Sequence, residues 1–321
     1  MTDASLIFII SQPRSGSSLL QQLLLNSNNI VSSPEPWQML SLIYTYKENT
    51  ITSAYNPNYA VINFTRYLEE KKDGLESYKK RVKALALNLY KDRIENHQYF
   101  LDKTPRYYHV IQELYELFPK AKFIFLVRNP LAVFASILDY NFNGDYKELL
   151  KSEDRLDDLF LAPKLIEEGI KRIKNSITVS YEDLIQNSDD TLKAINTYLA
   201  LETPLQTNYQ VEGKFSNSWH VDTKSLHKHS KPVNSYLDSW KTTLNSKQKK
   251  KLSLEYLHKL KEEGYSYYNI EAIEKELREH TPSKSSFIKI PMNLLIAKDE
   301  KLTTLQLIKK RMLIKLNNIG L

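Results

Sequence analysis

The chain has 321 residues, 41% of them hydrophobic and 26% charged, which is ordinary for a soluble globular protein and long enough for one large α/β domain or two small ones. It contains no cysteine, which excludes disulfides, thiol catalysis and thiolate metal sites and suits a reducing, cytoplasmic compartment. The net charge of +7 is uneven: residues 241–321 carry 17 Lys/Arg against 9 Asp/Glu, whereas the rest holds 28 against 29. A basic tail on a neutral body is not the pattern of a general nucleic-acid binder, whose folded body is basic as well.

Along the chain, Leu6–Ile10 is an apolar run without alternation, as expected of a strand buried on both faces, and it precludes a signal peptide because it leads straight into a polar loop. Leu19, Leu20, Leu23 and Leu24 then recur at helical spacing. Between strand and helix lie Arg14, Ser15, Gly16, Ser17 and Ser18. Gly16 permits the sharp turn, the first-turn N–H groups have no helical partner, and with Arg14 beside them they make a site for a phosphate or sulfate ester. The plainer alternative is a strand-turn-helix in which Ser17 or Ser18 caps the helix. Residues 37–97 separate this unit from the next strand, Tyr99–Asp102, by more than a crossover needs, and read as an inserted, tyrosine-rich cap. Tyr44, Tyr46, Tyr55 and Tyr59 there fit either an acceptor cleft or ordinary packing. Val110, Leu114, Leu117 and Phe118 space a helix before a third strand, Phe123–Val127.

The segment FIFLVRNPLAVFASIL, 123–138, repeats the strand-turn-helix logic. Asn129 suits the N-cap and Pro130 the first helical position, with Arg128 at the strand end and Ser136 two helical turns on. Residues 139–170 form a second insertion, Ile177–Ser180 a fourth strand, and Leu192, Ile195, Tyr198 and Leu199 another helix. Strands alternating with helices predict a parallel α/β sheet that binds its ligand at the strands' carboxyl ends. After Trp240 the pattern is helical and basic; 281–299 reads as a linker, and 301–317 as an amphipathic helix with Leu305, Ile308, Met312 and Leu316 on one side. That helix can pack on its own domain or lie on an anionic membrane; no apolar run reaches the length of a membrane span.

Taken together, QPRSGSSLLQQLL and FLVRNPLAVFASI resemble the paired nucleotide-binding signatures of the sulfotransferases that use 3′-phosphoadenosine 5′-phosphosulfate (PAPS). YEDLI at 181–185 and HKHSKPVNSYLDSW at 227–240 extend the likeness over most of 5–260. The resemblance implies a P-loop-like α/β fold, with Arg14, Ser15, Gly16, Ser17 and Ser18 on the 5′-phosphosulfate, Arg128 and Ser136 on the 3′-phosphate, and Tyr181 near the adenine. Lys228 and Lys231, with His229, fall in the implied nucleotide-covering loop, where Ser216, Ser218 or Ser225 supplies a hydroxyl. Many cytosolic members have lysine where this chain has Arg14, a bidentate but non-acidic group. Glu35, between Pro34 and Pro36, stands where the glutamate-using branch, including the tyrosylprotein enzymes, has its general base, and Lys103 where such members place a catalytic lysine. Thr104 and Arg106 assist, and a histidine base would be His97 or His109.

The implied organisation is a sulfotransferase domain at 1–275 and a basic linker and tail at 276–321. The expected co-substrate is PAPS without a metal, because no His/Asp/Glu set shows ligand spacing. The acceptor is a small molecule, carbohydrate or lipid hydroxyl. Two other classes remain beside this reading. A P-loop kinase is disfavoured by the absence of GxxxxGK[ST], since Gly16 has neither the preceding glycine nor the following lysine. A non-catalytic binding protein on the same fold would have no use for Glu35.

Overall fold

The structure is a computed structural model that describes residues 1–47, 55–209 and 229–279. The expectations for Lys228, for Ser216, Ser218 and Ser225, and for the linker and tail helix after residue 279 lie outside the described residues.

Five parallel strands form the central sheet: β1 (Leu6–Ser11), β2 (Ile30–Ser32), β3 (Tyr99–Lys103), β4 (Lys122–Val127) and β5 (Ser176–Ser180), in the order β2-β3-β1-β4-β5. The four strands expected from the sequence are present to within a residue at each end. The fifth, β2, is a three-residue edge strand paired with Tyr99–Leu101, too short to stand out as a pattern. β1 is central, with Phe8 opposite Asp102 of β3 and Phe123 of β4. The chain crosses from one side of β1 to the other between β3 and β4, which places a crevice at the carboxyl ends of these strands.

The pleat sends alternate residues to opposite faces. Leu6, Phe8 and Ile10 join Phe100, Phe123 and Phe125 in one buried cluster, and Ile7 and Ile9 join Leu101, Ile124 and Leu126 in the other. Helices α1 (Ser17–Leu24), α10 (Tyr181–Gln186) and α11 (Ser188–Leu199) cover the second face. On the first face lie α4 (Gly74–Ile94), α5 (Ile111–Leu117) and α9 (Ala162–Arg172).

The stretch 37–97 therefore has two parts. After α2 (Gln38–Ile43) and α3 (Pro57–Glu69), the 21-residue α4 is itself the crossover helix and buries Val82, Ala86, Tyr90 and Ile94 against the sheet. Its buried residues make a single i, i+4 stripe on a heavily charged helix, which is why the sequence reads as part of an inserted cap. Tyr44 and Tyr46 pack against the same core, while Tyr55 and Tyr59 are exposed. α6 (Pro130–Phe142) begins as expected, with the Asn129 side chain accepting the Leu131 N–H at 2.9 Å and Pro130 at its first position. Its apolar face meets Trp240 and the helices Lys247–Glu262 and Ile270–Glu279 in a third cluster. Between α6 and α9 come two one-turn helices, α7 (Tyr146–Leu149) and α8 (Glu153–Leu156), and a π-turn at Asp157–Leu161.

Candidate active site

A cleft of about 750 Å³ opens at the carboxyl ends of the strands. Its floor is the turn after β1. Arg14 (φ 71°) and Gly16 (φ 92°) are both left-handed there, and this folds the chain back into α1. Gly16 is the N-cap, so neither Ser17 nor Ser18 caps the helix, and no side chain caps it. The first-turn N–H groups, which have no helical partner, belong to residues that line the cleft. Glycine is required at 16 by space as well as by φ, because a Cβ would lie 2.4 Å from the Tyr181 ring.

The arginines of the two turns are tied together. Buried Arg128 donates from Nη1 to the Arg14 carbonyl at 2.9 Å and from Nη2 to the Tyr236 carbonyl at 3.2 Å. Its guanidinium lies 4.1 Å from the centre of the Tyr181 ring. Its Nε has no hydrogen-bond partner among the described residues, an orphaned donor of the kind an absent anion would satisfy. Burial lowers the Arg128 pKa, and Tyr181 and Glu182 oppose that shift; a guanidinium stays charged nonetheless. Arg14 donates from Nε to Ser136 Oγ at 3.1 Å and stacks 4.0 Å from the Tyr140 ring centre.

Beside the loop, Lys103 at the end of β3 donates to Glu35 Oε1 at 2.6 Å and lies 3.5 Å from Ser18 Oγ. The lysine is 1% exposed and the glutamate side chain 9%. A pair this dry needs its partner intact, since an unpaired buried charge is costly. Two anchors flank Glu35 along the chain. Upstream, the buried Gln21 amide donates to Ser32 Oγ at 2.7 Å and to the Ser33 carbonyl at 3.3 Å. Downstream, the Trp37 N–H donates to Thr104 Oγ1 at 3.3 Å. On another part of the wall, Arg106 pairs with Asp154 and Asp158, and Arg155 with Asp158.

Of the residues singled out in the sequence, Arg14, Gly16, Ser17, Ser18, Glu35, Arg128, Ser136, Tyr181 and Lys231 line this one cleft, as do His229 and Arg106. Lys103 sits behind Glu35. Ser15 is turned inward: its hydroxyl is buried with no hydrogen-bond partner among the described residues, and its N–H bonds the Gln12 carbonyl at 3.2 Å. His97 and His109 are not among the lining residues. His97 Nδ1 lies 2.9 Å from the Ile94 carbonyl, and burial, reinforced by Arg106 and Lys47, pushes the His109 pKa down to about 4. Trp37, Tyr140, Arg155, Tyr209 and Tyr236 also line the cleft. Only folding brings them there; Tyr236 lies in the 227–240 segment, and no motif marks the other four. Among the described residues no cluster of His, Asp or Glu could hold a metal ion, and no helix is long and apolar enough to cross a membrane.

The fold and the two strand-turn-helix loops that meet in the cleft define a class, and comparison with known proteins agrees. A model of the sulfotransferase family matches residues 6–204, and the chain belongs to that family. Over 132 residues, 40% of this chain, it is 33% identical to the nodulation protein NoeE of Sinorhizobium fredii (strain NBRC 101917 / NGR234), covering 30% of that protein's length. The fold is similar to the sulfotransferase domain from the curacin biosynthetic pathway, with a TM-score of 0.52 and 18% identity over 78% of this chain and 96% of that one.

Proposed function

We propose that this sulfotransferase moves the sulfuryl group of PAPS to a hydroxyl of its acceptor, with Glu35 as general base and no metal. One observation carries the reading. The two arginines of the two anion loops share one wall through the Arg128–Arg14 carbonyl bond, and the Glu35–Lys103 pair stands at Ser18 of the first loop.

In this reading the 5′-phosphosulfate lies on the α1 N-terminus, held by Arg14, Gly16, Ser17 and Ser18, with Ser15 shaping the turn from inside. Arg128, through its spare Nε–H, and Ser136 take the 3′-phosphate. Tyr181 borders the adenine, and Lys228 and Lys231 cover the nucleotide. The acceptor oxygen attacks sulfur, the bond from sulfur to the bridging oxygen breaks, and the acceptor proton passes to Glu35, leaving adenosine 3′,5′-bisphosphate. Lys103 holds Glu35 as a carboxylate-directed donor and, being close to Ser18, offers its charge to the bridging oxygen as that bond lengthens. Positioning and charge neutralisation do most of the work, as in phosphoryl transfer.

The reading takes residues 1–275 as the catalytic domain, 276–321 as a basic appendage available for peripheral membrane contact, and the cytoplasm as the compartment. The acceptor is a small molecule, sugar or lipid bearing a hydroxyl that reaches Glu35 past Trp37 and Tyr140, both of which line the cleft. Incubation with sulfur-labelled PAPS and a panel of such acceptors, with chelator present, tests it. Label transfer with release of the bisphosphate supports the reading. Transfer from ATP with magnesium, and none from PAPS, would replace it by a kinase.

A further inference from the structure

The cleft's ion pair rests on a third charged group that the chemistry above does not use. Asp102 precedes Lys103 on β3 and is fully buried. Its carboxylate accepts three hydroxyls: Tyr90 of α4 at 2.5 Å and Tyr107 at 2.8 Å on Oδ2, and Thr104 at 3.2 Å on Oδ1. Two of these hydroxyls also accept backbone N–H groups, Thr104 Oγ1 that of Trp37 at 3.3 Å and Tyr107 OH that of Met39 at 3.4 Å. One carboxylate thus reaches, through two relays, the chain immediately after Glu35, and by covalent adjacency the residue that carries Lys103.

Burying a carboxylate in the core costs several kcal/mol unless its bonds recover the loss. An apolar side chain in the same strand would avoid that cost, so packing alone gives no reason for an aspartate. The backbone it holds is also one that does not hold itself: Trp37 has φ 56°, a left-handed conformation costly for a bulky residue. Gln21 pins residues 32 and 33 on the upstream side, so the Asp102 relays supply the downstream half of the clamp on Glu35.

We propose that Asp102 is a positioning residue that sets the register of Glu35 against Lys103 through the Thr104 and Tyr107 hydroxyls. The inference rests on the reading of Glu35 and Lys103 as the reacting pair. The groups facing Asp102 are Tyr90 from α4, Tyr107 and Thr104 from the turn after β3, and the neighbouring Lys103 ammonium. Burial pushes its pKa up to about 6, and the hydroxyls and Lys103 draw it back. Once protonated, the carboxyl becomes a donor at one position and gives up one of its three hydroxyls.

The test is Asp102→Asn, read as kcat, KM for PAPS and the pH profile. The expected result is a kcat lower by about ten- to hundred-fold, an unchanged KM for PAPS, and loss of the fall in kcat expected of the wild type as pH drops through about 6. An unchanged kcat and profile, or losses that only track the folded fraction, would overturn it. Should Asp102→Asn not fold, Thr104→Val removes one relay and keeps the carboxylate. It should lower kcat, and Thr104→Ser should restore it; equal activity of the two refutes the relay. Hydrogen exchange at Trp37 and Met39 separates this inference from the reading beneath it. If the wild type transfers nothing from PAPS, the reaction assignment fails. Trp37 exchange about tenfold faster in the Val variant than in the wild type, with Met39, which bonds Tyr107, unchanged, still supports the clamp, and equal exchange at Trp37 removes it.

Discussion

Replacing Gly16 by alanine perturbs the turn after β1 at one atom, and its cost can be worked from geometry. Gly16 has φ 92° and ψ 17°, and a Cβ there would stand 2.4 Å from Tyr181 Cδ2 and 2.5 Å from Cε2. Carbon atoms in contact sit about 3.5–4.0 Å apart, so the ring must retreat by about 1 Å. It is not free to do so, because it is stacked on the Arg128 guanidinium, which in turn holds the Arg14 and Tyr236 carbonyls. The left-handed backbone costs a non-glycine residue about 1 kcal/mol, and overpacking adds about 1–3 kcal/mol. Urea denaturation of Gly16→Ala should therefore show a loss of about 2–4 kcal/mol, accompanied by at least about tenfold weaker binding of adenosine 3′,5′-bisphosphate. In a Tyr181→Ala background the overlap is gone, and the same substitution should cost only the backbone share of about 1 kcal/mol. A Gly16→Ala cost under about 0.5 kcal/mol, or an equal cost in both backgrounds, would refute the argument.

Three further outcomes follow from the same contacts. Arg128→Ala should weaken the 3′,5′-bisphosphate by at least about tenfold and the 5′-monophosphate far less; equal losses in competition titrations would show that Arg128 does not read the 3′-phosphate. Glu35→Gln should lower kcat by about 10²–10⁴ while calorimetry finds nucleotide affinity kept, and retained turnover would remove Glu35 as the base. His109 has its pKa lowered to about 4 from the ordinary 6.5, so the folded state binds fewer protons than the unfolded chain between these values. Stability should fall as pH drops from about 6.5 to about 4, by at most about 3 kcal/mol from this group; His109→Gln should flatten that part of the denaturation profile, and an unchanged slope contradicts the assignment.

Much of the fold is visible in the amino-acid pattern because β1, β3 and β4 are apolar runs buried on both faces. β2 escapes because three edge residues give no periodicity, and α4 reads as part of an inserted cap because its buried stripe is narrow. The site is legible where it is local. Arg14 to Ser18, and Arg128 to Ser136, lie within single strand-turn-helix units that together resemble the paired nucleotide-binding signatures of the family. What joins the units is not local: the Arg14–Ser136 bond spans 122 positions, and the Glu35–Lys103 pair 68. Tyr140 over Arg14 carries no motif, and nothing in the 227–240 segment says that the Tyr236 carbonyl meets Arg128. Asp102 did leave a trace, as an acidic residue before Lys103 where the apolar run of β3 stops, but its three hydroxyl partners come from α4 and the following turn and are seen only in the folded chain.

The central claim is that this cleft is a 3′-phosphorylated nucleotide site. Calorimetric titration of the full chain with adenosine 3′,5′-bisphosphate, beside adenosine 5′-monophosphate and without added metal, tests it most directly. The account predicts saturable one-to-one binding of the bisphosphate, at least about tenfold tighter than the monophosphate. A folded sample that binds neither, or binds both alike, would contradict it.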